Sequence, residues 1–188
     1  MCINPIWVPA ASSLLAGTAV HVCTVAGFPL GAVHGWSKAL EASWAVEQGA
    51  DEIDMVLNVG ALKDGDFDVV RSDVASVVDG ASGSTVKVIL ETGLLTTEEI
   101  RAAVRLSEEG GAAFVKTSTG FGPRGASVDD VRLMKAACEG RLQVKASGGI
   151  RTYEDALALL EAGASRLGAS AGTAILAGCP PSPSPGAP

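Results

Sequence analysis

The chain has 188 residues, 47% of them apolar and 23 of them glycine, so it can bury one sizeable core and is too short for two ordinary domains. A formal charge of −7 and a pI near 4.8 argue against non-specific contact with nucleic acid or an acidic membrane, though a small anion can still be held by local NH groups. Cys2, Cys23, Cys138 and Cys179 have neither CxxC spacing nor an obvious pairing, which fits free thiols in a reducing cytoplasm better than a disulfide framework or a zinc site.

In chain order, residues 1–4 read as a short apolar strand cut off by Pro5, followed by a helix over about 9–15 that stops at Gly17. Residues 20–25 form a strand, and the turn-rich 27–31 leads into a helix over about 33–48 ended by Gly49. In the next strand, 52–58, period-2 geometry puts Glu52, Asp54, Val56 and Asn58 on one face and Ile53, Met55 and Leu57 on the other. The apolar face suits covering helices, and the polar face must look into a site. A helix over 66–78 and a strand over 86–91 follow, then a helix over 96–109 whose Thr96 and Glu99 match a capping box. Residues 113–118 read as a strand, 127–138 as a helix, 143–147 as a strand, 152–161 as a helix, 166–169 as a strand and 172–176 as a last helix. Residues 179–188 hold five prolines with glycine and serine, a composition read as a disordered tail after a barrel domain over 1–178. No apolar run reaches about 18 residues and no basic-then-apolar leader is present, so neither a membrane partner nor a signal peptide is expected.

Strict alternation of strand and helix calls for parallel strands with right-handed crossovers. Counting the clipped start there are seven strands, one short of the eight in a (β/α)₈ barrel. A doubly wound open sheet would carry its phosphate-binding glycines after the first strand. Here they follow the later strands, as Gly148-Gly149 and 168–172, where a barrel places a phosphate site. The expected fold is therefore α/β, a TIM (β/α)₈-type barrel of about seven units.

Two of these strands carry a lysine towards a glycine-ended turn: Lys116 in Val-Lys-Thr-Ser-Thr-Gly and Lys145 in Val-Lys-Ala-Ser-Gly-Gly. An ammonium on a covered strand is costly unless it is paired or gives up its proton, and a neutral amine is a nucleophile towards carbonyl groups. A lysine at a strand end can also lay its stem on apolar surface and keep its head in water. Two amines in one cavity would each depress the other's pKa, and Asp54, on the polar face of its strand, is either a proton carrier or their ion-pair partner. The C-terminal strand ends gather Asp54, Asn58, Glu91, Lys116, Ser118, Lys145, Ser147 and Ser170 into one cavity.

The runs Glu-Ile-Asp-Met-Val-Leu-Asn-Val-Gly (52–60), Val-Lys-Thr-Ser-Thr-Gly-Phe (115–121), Val-Lys-Ala-Ser-Gly-Gly-Ile-Arg (144–151) and Arg-Leu-Gly-Ala-Ser (166–170) resemble the deoxyribose-phosphate aldolase family, in register over about residues 1–178. The resemblance implies a class I aldolase, without metal or other cofactor, that cleaves 2-deoxy-D-ribose 5-phosphate to D-glyceraldehyde 3-phosphate and acetaldehyde. It implies Lys116 as the Schiff-base former, Lys145 as the neighbour that lowers its pKa, and Asp54 as part of a proton relay through water. It further assigns Thr119, Gly120, Gly148, Gly149, Gly168 and Ser170 to substrate and phosphate binding, with the helix near Gly172 pointing at the anion, and Cys2 to the substrate pocket. The family usually has one strand and helix before the point where this sequence starts. Exposed sheet edges would follow from their absence, and two further readings stand beside the enzyme: a truncated, impaired remnant that at most binds phosphosugars, or a protein whose gap a homo-oligomeric partner fills. A phosphosugar isomerase or synthase barrel would share the phosphate site without needing two strand lysines.

Overall fold

Short β-branched and apolar runs alternate with amphipathic helices along the chain, and in the computed structural model, which describes residues 1–180, the runs pair into a single parallel sheet. The strands are β1 (Cys23–Ala26), β2 (Glu52–Val56), β3 (Thr85–Ile89), β4 (Phe114–Lys116), β5 (Gln143–Ser147) and β6 (Arg166–Gly168), hydrogen-bonded in sequence order. The helices are α1 (Val8–Leu15), α2 (Gly35–Glu47), α3 (Val59–Lys63), α4 (Phe67–Gly80), α5 (Thr97–Glu109), α6 (Val128–Ala137), α7 (Tyr153–Glu161) and α8 (Gly172–Ala177). The seventh strand expected at residues 1–4 is reduced to a single parallel bridge, Cys2 with Cys23. Pro5, which has no NH to give to a ladder, opens a 3₁₀ turn there and ends the extended run. Most of the Pro-rich tail, from residue 181 on, lies outside the described residues.

The sheet is strongly curled. Arg166 on β6 reaches Glu52 on β2 with guanidinium–carboxylate distances of 2.6 and 2.7 Å, although four strand spacings of roughly 4.8 Å would separate them in a flat sheet. Curling turns one set of alternate side chains inward, and that set is polar: Asp54, Lys87, Lys116 and Lys145 are all buried there. The opposite set, with Ile53, Met55, Val86, Val88, Val115 and Val144, is buried in the apolar core between sheet and helices. Among the described residues no ladder joins β6 to the Cys2 segment, so the arc stays open on that side.

Local signals set the helix starts. Thr96 and Glu99 form the expected reciprocal capping box on α5, and Thr152 with Asp155 forms a second on α7. Strand β2 ends two residues sooner than expected, because the side chain of Asn58 accepts from the NH of Ala61 at 3.1 Å and caps α3 instead of facing the cavity.

A buried ion pair fixes the helical layer on the side of β1 and β2. Lys38 of α2 is fully buried, and its Nζ donates to Asp73 of α4 at 2.6 Å and to the carbonyl of Val56 at 2.9 Å. Gly27 makes room for the lysine stem, since a Cβ there would lie 2.8 Å from Lys38 Cε. Removing one partner would strand a buried charge, so Asp73→Ala should lower the unfolding free energy by about 3–5 kcal/mol in urea titrations. Lys38→Met combined with Asp73→Leu should recover most of that loss. A single variant as stable as the parent chain would show that the pair does not hold the layer.

Candidate active site

The inward side chains of the site come from neighbouring strands: Asp54, Lys87 and Lys145 sit in the middle of β2, β3 and β5, and Lys116 is the last residue of β4. Asp54 on β2 is completely buried. Its Oδ2 accepts from Lys116 of β4 at 2.8 Å and from Lys145 of β5 at 2.7 Å, and its Oδ1 accepts from Lys87 of β3 at 2.8 Å. Because both catalytic candidates share one oxygen, their amines are no farther apart than those two bonds laid end to end. The register explains the convergence: Asp54 pairs with Lys87, Ile89 with Lys116, and Lys116 with Lys145, so the lysines step up and around the curl.

Burial pushes the pKa of Asp54 up, but the charges of Lys116, Lys145 and Lys87 outweigh it and hold the carboxyl far below the usual range. Asp54 is thus an anion at every physiological pH. Burial works in the other direction on Lys87, and Asp54 and its other acidic neighbours overcome it, pushing the amine up to about 12. Lys87 also donates to Glu52 at 2.7 Å. Glu52 in turn is raised by burial and more than compensated by Arg166 and Lys87. Two carboxylates therefore face four basic side chains, a cavity formally rich in positive charge and suited to an anionic ligand.

Above this cluster opens a cavity of about 970 Å³, in the range of small-molecule sites. Its wall contains Cys2, Lys116, Thr119, Gly120, Lys145, Gly148, Gly149, Gly168 and Ser170, with Asp54 beneath it. Of the residues expected from the sequence, these and Ser147 are brought to one cavity, whereas Asn58 caps α3, Ser118 is buried behind the wall and Glu91 holds the Thr119 turn instead of lining it. Gly148 and Gly149 have φ of 87° and 79°, in the left-handed region that glycine tolerates, and a Cβ at Gly149 would meet nothing within 4 Å, so the turn leaves open space on its cavity side.

The turns are tied together by polar contacts at the strand ends. Thr117 Oγ1 donates to the Ser147 carbonyl at 3.1 Å and accepts from the Ser147 NH at 3.0 Å, while Ser147 Oγ donates to the Ser118 carbonyl at 2.7 Å. Glu91, at a left-handed φ of 56°, accepts from the NH of Thr119 at 3.2 Å and from its hydroxyl. These bonds make the Thr119–Gly120 turn and the Gly148–Gly149 turn one rigid rim.

Lys87 and Arg166 are site residues that sequence reasoning missed, and Glu52, placed on the inward face of its strand, was not linked to either of them. Lys87 was detectable by the same signal as Lys116, an inward period-2 lysine on a covered strand, but its strand does not end in a glycine turn. Arg166 could be linked to Glu52 only once the curl was known. Among the described residues one cluster has metal-ligand character, Cys2, Cys23 and Asp54, with ligand atoms within 4.8 Å of one another. A divalent cation there would have to compete with three lysine side chains for the same carboxylate, which disfavours it.

A carboxyl whose folded pKa is depressed contributes stability above its unfolded value near 4 and loses that contribution as pH falls towards the folded value. Asp54→Asn should therefore be much less stable than the parent chain at pH 7, and the gap should narrow as pH falls from about 4 towards 2. Paired urea titrations at each pH would show it, and a gap independent of pH would remove Asp54 as the charge anchor.

Residues 6–178 match the profile of the DeoC/LacD family aldolases. The chain is 57% identical over 178 residues to a deoxyribose-phosphate aldolase from Staphylococcus epidermidis, covering 95% of this chain and 81% of that one. It is 55% identical over 182 residues to one from Carboxydothermus hydrogenoformans, covering 95% and 80%. Among solved structures, the aldolase QR15 superposes with a TM-score of 0.88 at 46% identity over 93% of this chain and 78% of its own. The tetrameric deoxyribose phosphate aldolase of Aeropyrum pernix superposes with a TM-score of 0.87 at 34% identity, covering 94% and 75%. The sheet described above is accordingly an arc of the same barrel type, and the chain belongs to the DeoC/LacD family of aldolases.

Proposed function

We propose that the chain is a deoxyribose-phosphate aldolase, cleaving 2-deoxy-D-ribose 5-phosphate to D-glyceraldehyde 3-phosphate and acetaldehyde through a Schiff base on Lys116. The observation that carries this reading is the sharing of Asp54 Oδ2 by two buried amines at the floor of a glycine-rimmed cavity. Relatives that bear the aldolase name at 55–57% identity support the reaction class.

In this reading the neutral amine of Lys116 attacks C1 of the open-chain sugar, and loss of water gives the imine. A base takes the proton of the 3-hydroxyl, the C2–C3 bond breaks, and its electron pair passes into the protonated imine to form an enamine. D-glyceraldehyde 3-phosphate departs as the aldehyde. The enamine is then protonated at C2, and water hydrolyses the imine to acetaldehyde and free lysine. Asp54, held as an anion, accepts from both amines and with water passes protons among them, while Lys145 keeps a positive charge beside the reacting nitrogen. Lys87 and Glu52 touch no substrate in this scheme and fix the position of Asp54.

The phosphate is assigned to the NH groups of Gly148 and Gly149 and to the turn from Gly168 to Ser170, whose open rim accepts an anion without a side chain in the way. A homo-oligomer is part of the proposal, supported by the tetrameric relative and by the exposed Trp36, Leu40 and Trp44 on α2. A reducing cytoplasmic setting fits the four free thiols.

Acetaldehyde with borohydride should add about 28 Da, an ethyl group, to the peptide containing Lys116, and Lys116→Arg should take no label and lose turnover of deoxyribose 5-phosphate. Label on Lys145 alone would reassign the nucleophile. A folded chain that takes no label but still binds the phosphosugar would be a binding protein and not an aldolase.

A further inference from the structure

Cys2 and Cys23 are the facing residues of the one bridge that joins residues 1–3 to β1. The Cys23 NH donates to the Met1 carbonyl at 2.7 Å, and the Ile3 NH donates to the Cys23 carbonyl at 3.0 Å. This parallel pattern seats the two side chains beside each other on the same face, and both line the cavity. Neighbouring strands lie about 4.8 Å apart, inside the range of roughly 4.4–6.8 Å that disulfides span between Cα atoms. The two sulfurs already lie within 4.8 Å of each other. Cys2 is exposed and Cys23 is buried, so a reagent meets Cys2 first.

We propose that Cys2 and Cys23 are a redox pair that closes to a reversible disulfide on the cavity wall, by exchange with a small disulfide such as oxidised glutathione. The Cys2 thiolate attacks one sulfur of the small disulfide, forming a mixed disulfide and releasing one thiolate. The contact with Cys2, burial and Asp54 hold the proton on Cys23 in the reduced protein, and capping of Cys2 in the mixed disulfide removes the largest of these. Cys23 then loses its proton to water and attacks the Cys2 sulfur, the second small thiolate leaves and takes up a proton, and the protein has lost two hydrogens while the small disulfide has been reduced to two thiols. Neighbouring Cys23, joined by the charges of Lys116 and Lys145, pulls the Cys2 thiol below its usual range against desolvation and Asp54, which favours Cys2 as the attacking sulfur.

The consequence for the site is direct. The Cys23 thiol donates to Asp54 Oδ1 at 3.2 Å, and the disulfide removes that donor from the carboxylate that holds the three lysines. Resting on the aldolase reading above, the oxidised form turns substrate over more slowly than the reduced one.

The test reads the disulfide apart from activity. The first Lys or Arg is Lys38, so trypsin delivers both cysteines in one peptide, 1–38. After oxidised glutathione, this peptide should be about 2 Da lighter and take up no iodoacetamide, with dithiothreitol reversing both changes. Cys23→Ser should instead retain glutathione on Cys2. Where the aldolase reading holds, turnover should fall in step with the fraction of bridged peptide and return with dithiothreitol; turnover that stays constant would overturn the coupling to Asp54. A stable glutathione adduct on Cys2 of the parent chain, a link from Cys2 to Cys179, or two cysteines that remain fully alkylatable would each overturn the pair. Because the peptide is measured without substrate, a chain that lacks aldolase activity still answers whether the disulfide forms.

Discussion

One fully buried carboxylate with three amines on it is the constraint around which the inner face of this sheet is built. A carboxylate alone at the position of Asp54 would be strongly disfavoured by desolvation, and three lysines alone at the positions of Lys87, Lys116 and Lys145 would repel one another as well. Together they satisfy each other, but unequally. Lys87 is enclosed by Asp54 and Glu52, while Lys116 and Lys145 share a single oxygen and lie on the cavity wall. The asymmetry separates a structural cation from two amines that can meet a substrate.

The curl of the sheet is what lets this cluster exist. Glu52, Arg166 and the three lysines arrive from five strands, and only a closing arc brings their ends together. The apolar faces of the same strands pack beneath the helices, so the energy of hydrophobic burial is gained on one side of the sheet while the polar side is left for chemistry. Left-handed φ at Gly148 and Gly149 lets the backbone turn tightly at the rim, and the space beside Gly149 stays open.

Much of this was legible in the sequence because period-2 alternation is a local property. Asp54, Lys116 and Lys145 were visible as polar residues on strands whose other faces are apolar, and the glycine pairs marked the rim. The Thr96–Glu99 capping signal fixed the start of α5 to within a residue. What could not be read depends on distance in space. The pairing of Lys38 with Asp73 joins two helices, that of Arg166 with Glu52 spans 114 positions, and the contact of Cys2 with Cys23 depends on strand register. Asn58 shows a local competition, in which capping took a residue that alternation had assigned to the cavity.

In the proposed mechanism Asp54 and Lys116 act as one unit to make an enamine, and proton exchange into acetaldehyde reports on it without needing the sugar phosphate. In deuterated water the chain should exchange the methyl protons of acetaldehyde for deuterium, followed by proton NMR, because each enamine takes its new proton from solvent. Asp54→Asn and Lys116→Leu should each slow that exchange by about 10²-fold or more, the scale of a lost general acid–base or nucleophilic group. Exchange at the parent rate in folded Asp54→Asn would contradict the account.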